Sequence, residues 1–175
     1  MKKTLIHILF LCCIGVQAQI LTPYQPLQKQ PRVQFDYWVM STHAGNGSVN
    51  QYALTPTTRA EMDNLFNSSN SNTTVYQTGK TNSAKILDWQ TASDLSAIGI
   101  NLPNSATYFA IKIQGTFIPL ESGNYTFTLE SDDSSDLTID GTPVIGTYLA
   151  QAVPALGTHT GTINLTAGKA YTFEV

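Results

Sequence analysis

Gly123-Asn-Tyr-Thr-Phe-Thr-Leu-Glu-Ser-Asp-Asp-Ser-Ser-Asp-Leu-Thr-Ile-Asp-Gly141 reads as strand, acidic turn, strand. Tyr125, Phe127 and Leu129 alternate with Thr126, Thr128 and Glu130, the period-two pattern of a strand with one face in a core. Leu137 and Ile139 resume the alternation against Thr138 and Asp140. The segment between them, Ser131 to Asp136, is expected to be a hairpin connection loaded with carboxylates. Glu121, Glu130, Asp132, Asp133, Asp136 and Asp140 fall within one twenty-residue window that holds no Lys or Arg.

The same period recurs on either side. Upstream, Phe109, Ile111, Ile113 and Phe117 alternate with Ala110, Lys112, Gln114 and Thr116. Earlier still, Val33, Phe35, Tyr37 and Val39 alternate with Gln34, Asp36, Trp38 and Met40. Short strands are expected at Val75–Thr78 and Ile86–Trp89, flanking Gly79 to Ala84. Downstream, Val144-Ile145 continues briefly, Gly146 to Thr160 reads as a long loop with Pro154, Gly157 and His159, and Ile163 with Leu165 makes a strand. Thr166-Ala-Gly168 turns the chain into Tyr171, Phe173 and Val175. Thr58 to Phe66 is the one convincing helix. Thr58 and Glu61 have the capping-box spacing, and Met62, Leu65 and Phe66 share a face suited to covering a sheet. Thr91 to Ile100 is expected to hold a helical turn capped by Ser93 or Asp94. His43–Ser48, Asn67–Thr74 and Asn101–Ala106 are loops. Asn67 and Asn72 stand in sequons, a pattern that polar loop composition also produces. Repeated short strands with glycine-rich turns predict an all-β fold, a β-sandwich with one or two short helices.

Residues 1–18 have the layout of a signal peptide. Lys2 and Lys3 precede an apolar run from Leu5 to Val16, and Val16-Gln17-Ala18 offers small residues for cleavage. The run is too short for a transmembrane helix. The mature chain is expected to begin at Gln19 and to be secreted or displayed at the cell surface, with no membrane insertion after cleavage. Cys12 and Cys13, the only cysteines, would leave with the signal, which excludes disulfides, thiolate nucleophiles and cysteine metal sites from the mature chain. Residues 19–32, with Pro23, Pro26 and Pro31, read as a linker, and residues 33–175 as one domain. The sequence stops within the alternation at Val175, so a C-terminally truncated domain with further domains to follow is expected.

Without Lys2 and Lys3, seven basic residues face twelve acidic ones, a net charge of minus five. This balance argues against nucleic acid as a partner. Plentiful Thr, Ser and Asn suit exposed positions of extracellular strands.

Gly115-Thr-Phe117, Ser122-Gly-Asn-Tyr-Thr-Phe127, Ser131-Asp-Asp133, Leu137-Thr-Ile-Asp-Gly141 and Gly161-Thr-Ile-Asn-Leu-Thr-Ala-Gly168 with Tyr171 together resemble a PA14 domain. Tyr37-Trp38 and Ile86-Leu-Asp-Trp89 fit the looser early part of that pattern, so the resemblance runs from about Phe35 to Val175. It implies a jelly-roll-like β-sandwich used as a non-catalytic module in bacterial toxins, glycosidases and sugar-binding adhesins. In the adhesin branch two adjacent aspartates joined by a cis peptide ligate Ca²⁺, and the ion contacts sugar hydroxyls. Asp132 and Asp133 match that pair. Ser134 stands where the family usually has Gly, and the branch's further Asn ligand falls in a loop beyond Val175.

Adjacent carboxylates on a tight turn repel each other, and a hard, oxygen-seeking cation such as Ca²⁺ relieves that repulsion. Asp132 and Asp133 are therefore the expected metal ligands, with Asp136 as a helper; the alternative is a solvated acidic hairpin. An EF-hand does not fit, because counting from Asp132 puts Leu137 at the sixth loop position and Pro143 at the twelfth. No catalytic residue is expected. His43 and His159 sit in loops and read as surface residues, and no G-x-S-x-G frame is present. Neighbouring aspartates also lack the separation across a cleft that glycoside hydrolysis needs. Trp38 and Trp89 read first as core or sheet-edge packing, with stacking on a sugar ring as the alternative. The expected function is a secreted carbohydrate-binding or adhesion module that uses Ca²⁺ to hold a glycan. A structural or interaction module of a larger cell-surface protein, and an accessory domain of a glycoside hydrolase, are the alternatives.

Overall fold

The computed structural model describes residues 6–8, 33–41, 55–83, 87–102 and 109–175. The expected 19–32 linker, the expected His43–Ser48 loop, Pro103 and all of the expected signal segment 1–18 except residues 6–8 lie outside the described residues. The elements run β1 (Ile6–Ile8), β2 (Val33–Ser41), α1 (Arg59–Leu65), β3 (Thr74–Ser83), β4 (Leu87–Trp89), α2 (Ala92–Ser96), β5 (Phe109–Phe117), β6 (Gly123–Glu130), β7 (Ser135–Ile139), β8 (Thr142–Thr147), β9 (Thr160–Leu165) and β10 (Tyr171–Glu174). They form a four-stranded sheet in the order β4-β1-β6-β9 and a six-stranded sheet in the order β3-β2-β5-β10-β7-β8. Neighbouring strands pair antiparallel throughout. The expected β-sandwich with two short helices is what the chain forms.

One core joins the two sheets. Phe127, Leu129 and Leu165 enter it from the four-stranded sheet, and Phe35, Tyr37, Val39, Ile113, Leu137, Ile139 and Phe173 enter it from the six-stranded one. Complete burial of such side chains stabilises the fold by about 1.5–3 kcal/mol each. Trp89 is a core residue, tilted against Phe35 with 6.0 Å between ring centroids. Trp38 points the other way along β2 and stays half-buried, with Lys112 Nζ 4.8 Å above its ring. Met40 is buried although its parity places it outside, and it stands apart from the inter-sheet core cluster; beside it the β2–β3 register shifts, leaving Tyr76 unmatched on β3. Strand β1 lies between β4 and β6, with Ile6 opposite Trp89 and Ile8 opposite both Leu87 and Leu129.

Three local expectations are revised. The 131–134 segment is not a hairpin turn. Strand β6 belongs to the four-stranded sheet and β7 to the six-stranded one, so the acidic segment is a corner that carries the chain from one sheet to the other. Period-two alternation reports which face of a strand is buried, not which strand it pairs with. The true hairpin is the next connection. Asp140 and Gly141 both have positive φ, 46° and 73°, and close a two-residue loop between β7 and β8. Asp-Gly suits such a turn because Gly carries no Cβ to clash and Asp tolerates the left-handed region.

Strand β3 is continuous from Thr74 to Ser83, where a break at Gly79 was expected. Gly79 lies opposite Tyr37, and a Cβ there would come within 2.7 Å of the Tyr37 hydroxyl. The glycine makes room for a ring crossing the neighbouring strand rather than for a turn. At α2 the N-cap is Thr91, two residues before the nearer of the expected caps. Its hydroxyl accepts from Asp94 N at 3.3 Å, and Asp94 Oδ2 accepts from Thr91 N at 2.8 Å, completing a capping box. At α1 Thr58 accepts from Glu61 N at 3.2 Å, while Glu61 Oε2 takes its shortest bonds from Thr57 N and Oγ1. Only Leu65 of the α1 face is buried; Met62 and Phe66 are half-buried. Among the described residues no helix is long and apolar enough to cross a membrane.

Candidate functional site

The acidic corner begins where β6 ends. Its position follows from the strands on either side: Phe127 and Leu129 fix β6 in the core, and Leu137 with Ile139 fixes β7. The four residues between, Ser131 to Ser134, have little freedom left. Ser131 Oγ donates to Asp133 O at 2.8 Å, and the Asp132–Asp133 peptide bond is cis, as the resemblance leads one to expect.

The long β8–β9 connection closes over this corner. Gln151 N donates to Asp133 Oδ1 at 2.9 Å, and Gln151 Nε2 donates to Ser131 O and Asp133 O, both at 3.3 Å. Ser134 Oγ donates to Leu149 O at 3.2 Å and to Pro56 O at 2.9 Å. Asp132 and Asp133 are both half-buried. Asp133 Oδ2 takes no hydrogen bond from the described residues, so that oxygen is available to a cation.

Asp136 does not join the pair. It is buried on β7, where Arg59 Nη1 lies 3.2 Å from Oδ2 and the Tyr148 hydroxyl donates to the same oxygen at 3.0 Å. Burial pushes its carboxyl above the ordinary carboxylate range despite the opposing charge of Arg59. Burial works against the Arg59 charge too, but Asp136 and Asp63 more than restore it, and its pKa is raised. The Tyr148 phenol is pushed up to about 12, by burial and then by the negative charge of Asp136. Arg59 also reaches Asp63 at 2.8 Å and Glu174 at 3.1 Å, so this network clamps α1 onto the six-stranded sheet. The helper role expected of Asp136 is replaced by a structural one.

Glu130 departs furthest from its sequence reading. Its parity places it on the outer face of β6, yet it is completely buried. The β8–β9 connection covers it. Glu130 Oε1 accepts from Gly157 N at 3.0 Å and from His159 N at 2.9 Å, and Oε2 lies 2.8 Å from His159 Nδ1. His159 is thus a half-buried partner of a buried carboxylate rather than a plain surface histidine; His43 lies outside the described residues. Neither Glu130 nor Gln151 carries a sequence signal for these roles beyond the unusual length of the 148–159 connection. The polar 67–74 loop is held by its own asparagines, with Asn67 Oδ1 accepting from Ser69 N and Asn70 Oδ1 from Asn72 N.

The donors gathered at the corner are carboxylate and carbonyl oxygens, the hard ligands that Ca²⁺ prefers. Among the described residues no group of three or more His, Cys, Asp or Glu side chains converges on a metal position. The corner offers two carboxylates, and a cation held there would need further oxygens to complete its shell.

An antiparallel sandwich with its polar cluster on an inter-sheet corner defines an all-β module. The family model of the PA14 domain matches residues 68–175, more than half of the chain, and the chain belongs to that family. The matched segment contains the acidic corner and starts after Tyr37-Trp38. PA14 domains serve as carbohydrate-binding or adhesion modules in many secreted proteins and are in general non-catalytic. Searches of curated proteins and of solved structures found no match.

Proposed function

We propose that this chain is a secreted or cell-surface carbohydrate-binding and adhesion module that holds its glycan through Ca²⁺ at Asp132 and Asp133. The observation that carries this reading is the pair of adjacent, half-buried carboxylates on the inter-sheet corner, inside the family-matched segment. The two carboxylates are neighbours in sequence, and their like charges repel. A divalent ion offsets that repulsion. Bound there, Ca²⁺ supplies open coordination positions that vicinal sugar hydroxyls fill as neutral oxygen donors. The chain's own part is to hold both carboxylates in place. Gln151 fixes Asp133 through Oδ1, while Oδ2 takes no hydrogen bond from the described residues, and Ser131 ties down the Asp133 carbonyl. The signal-like layout of residues 1–18 supports export, and cleavage there would take β1 out of the four-stranded sheet.

Calorimetric titration of Ca²⁺ into the wild-type chain is expected to give a saturable heat. The Asp132→Ala, Asp133→Ala double variant is expected to give only the heat of dilution. Equal heats from the two proteins overturn the reading.

A further inference from the structure

We infer that Glu130 is the positioning residue of the acidic corner: it holds in place the loop that carries Gln151, and Gln151 in turn holds Asp133. A carboxylate with no exposed surface persists only where its oxygens are fully engaged. Glu130 meets that demand from one source, the end of the β8–β9 connection, through Gly157 N, His159 N and His159 Nδ1. Leu129 N donates to His159 O at 3.2 Å and closes the same junction from the backbone. The start of the connection is tied to residues 131–134 by Ser134 and Gln151. The loop is therefore pinned at 157–159 by the residue just before the corner and at 149–151 by the corner itself. Loss of the first anchor frees the segment that presents Gln151. This inference rests on the proposed Ca²⁺ site for its functional meaning, but not for its geometry.

The test is backbone hydrogen exchange on the full chain without Ca²⁺, followed by Ca²⁺ calorimetry. Glu130→Gln keeps the size and one acceptor oxygen while removing the charge. It is expected to lose protection at the Gln151 amide while the β5 and β10 amides stay as in wild type. Its Ca²⁺ affinity is expected to fall about tenfold, the lower end of the range for groups behind metal ligands. Gln151→Ala removes the Nε2 bonds to Ser131 O and Asp133 O but keeps the backbone amide on Asp133 Oδ1, so it should weaken binding less than Glu130→Gln, and the double variant should bind no more weakly than Glu130→Gln alone, because Glu130 acts through the segment that carries Gln151. Unchanged Gln151 exchange in folded Glu130→Gln overturns the inference, and so do losses of affinity that multiply. If Glu130→Gln does not fold, His159→Ala removes the Oε2 partner while leaving two backbone amides on Oε1, and the same exchange readout decides. A wild-type chain that gives no Ca²⁺ heat sinks the proposed function alone, since the Gln151 exchange still decides the role of Glu130.

Discussion

Arg59 Nη1 lies 3.2 Å from Asp136 Oδ2, joining the first turn of α1 to the strand that leaves the acidic corner. The two partners are unequal. The Asp136 side chain is 8% exposed and that of Arg59 is 32% exposed, so burial weighs mainly on the carboxylate.

Removing the two partners should therefore cost different amounts. Arg59→Ala leaves a buried charge without its cation and is expected to destabilise by about 2 kcal/mol, below the ~3–5 kcal/mol of a fully buried partner because Arg59 is partly solvated. Asp136→Asn keeps an acceptor for Tyr148, removes the buried charge and should cost under about 1 kcal/mol. Urea denaturation of both variants checks the order; equal losses contradict it. The Arg59→Ala deficit should shrink as pH falls through the raised range of the Asp136 carboxyl, since protonation removes the unpaired charge.

Tyr148 should titrate as the most alkaline phenol affected by this network. Its folded pKa of about 12 lies above the ordinary 10.0. Folding stability from the neutral phenol is full below pH 10.0 and is lost as pH rises through about 12. Ultraviolet titration of wild type against Tyr148→Phe is expected to differ by one phenolate at that alkaline end. A difference centred at the ordinary value refutes the Asp136 contact.

Asp140 combines a positive φ with bonds to Thr172 N at 2.8 Å and Lys169 Nζ at 3.2 Å. The Thr172 amide first, and then Lys169, holds its carboxyl below the ordinary 3.8. A lowered carboxyl adds stability above pH 3.8 that disappears as pH falls through its folded value. Asn tolerates the left-handed region better than Ala. Melting temperatures at neutral pH should run wild type, Asp140→Asn, Asp140→Ala in falling order. The gap between wild type and Asp140→Asn should close on acidification, which thermal melts across pH will show.

Gly161→Ala should be among the most disruptive single methyl additions. Gly161 on β9 faces Val144 on β8, a strand of the other sheet, and a Cβ there would run into the Val144 carbonyl oxygen. Backbone on both sides cannot give way as a side-chain tip can. The loss is expected at about 3 kcal/mol, the upper end for overpacking. A chemical denaturation midpoint near that of wild type would show that the sheets can separate locally.

The fold class was legible because period-two alternation is a local signal, and Phe127, Leu129, Ile113 and Phe173 all take the core positions that their parity assigns. Pairing was not legible, because nothing local distinguishes a hairpin from a corner. Asp140-Gly141 carried a readable hairpin signal, and recognising it would have moved the turn downstream of the acidic run. The Asp132–Asp133 position was legible from the motif. Its supports were not, because Glu130 is buried by a loop that meets it across 29 residues of chain and Gln151 acts mainly through its backbone amide.

The corner is bracketed by two charge networks, one on each sheet. Glu130 anchors the last residue of β6, and Asp136 anchors the second residue of β7. Five residues separate these clamps, so the entropy of ordering the corner is spent when the sandwich folds and not when a guest arrives. A guest bound at a site built this way would dock without rearranging it, and its association should show a small heat-capacity change.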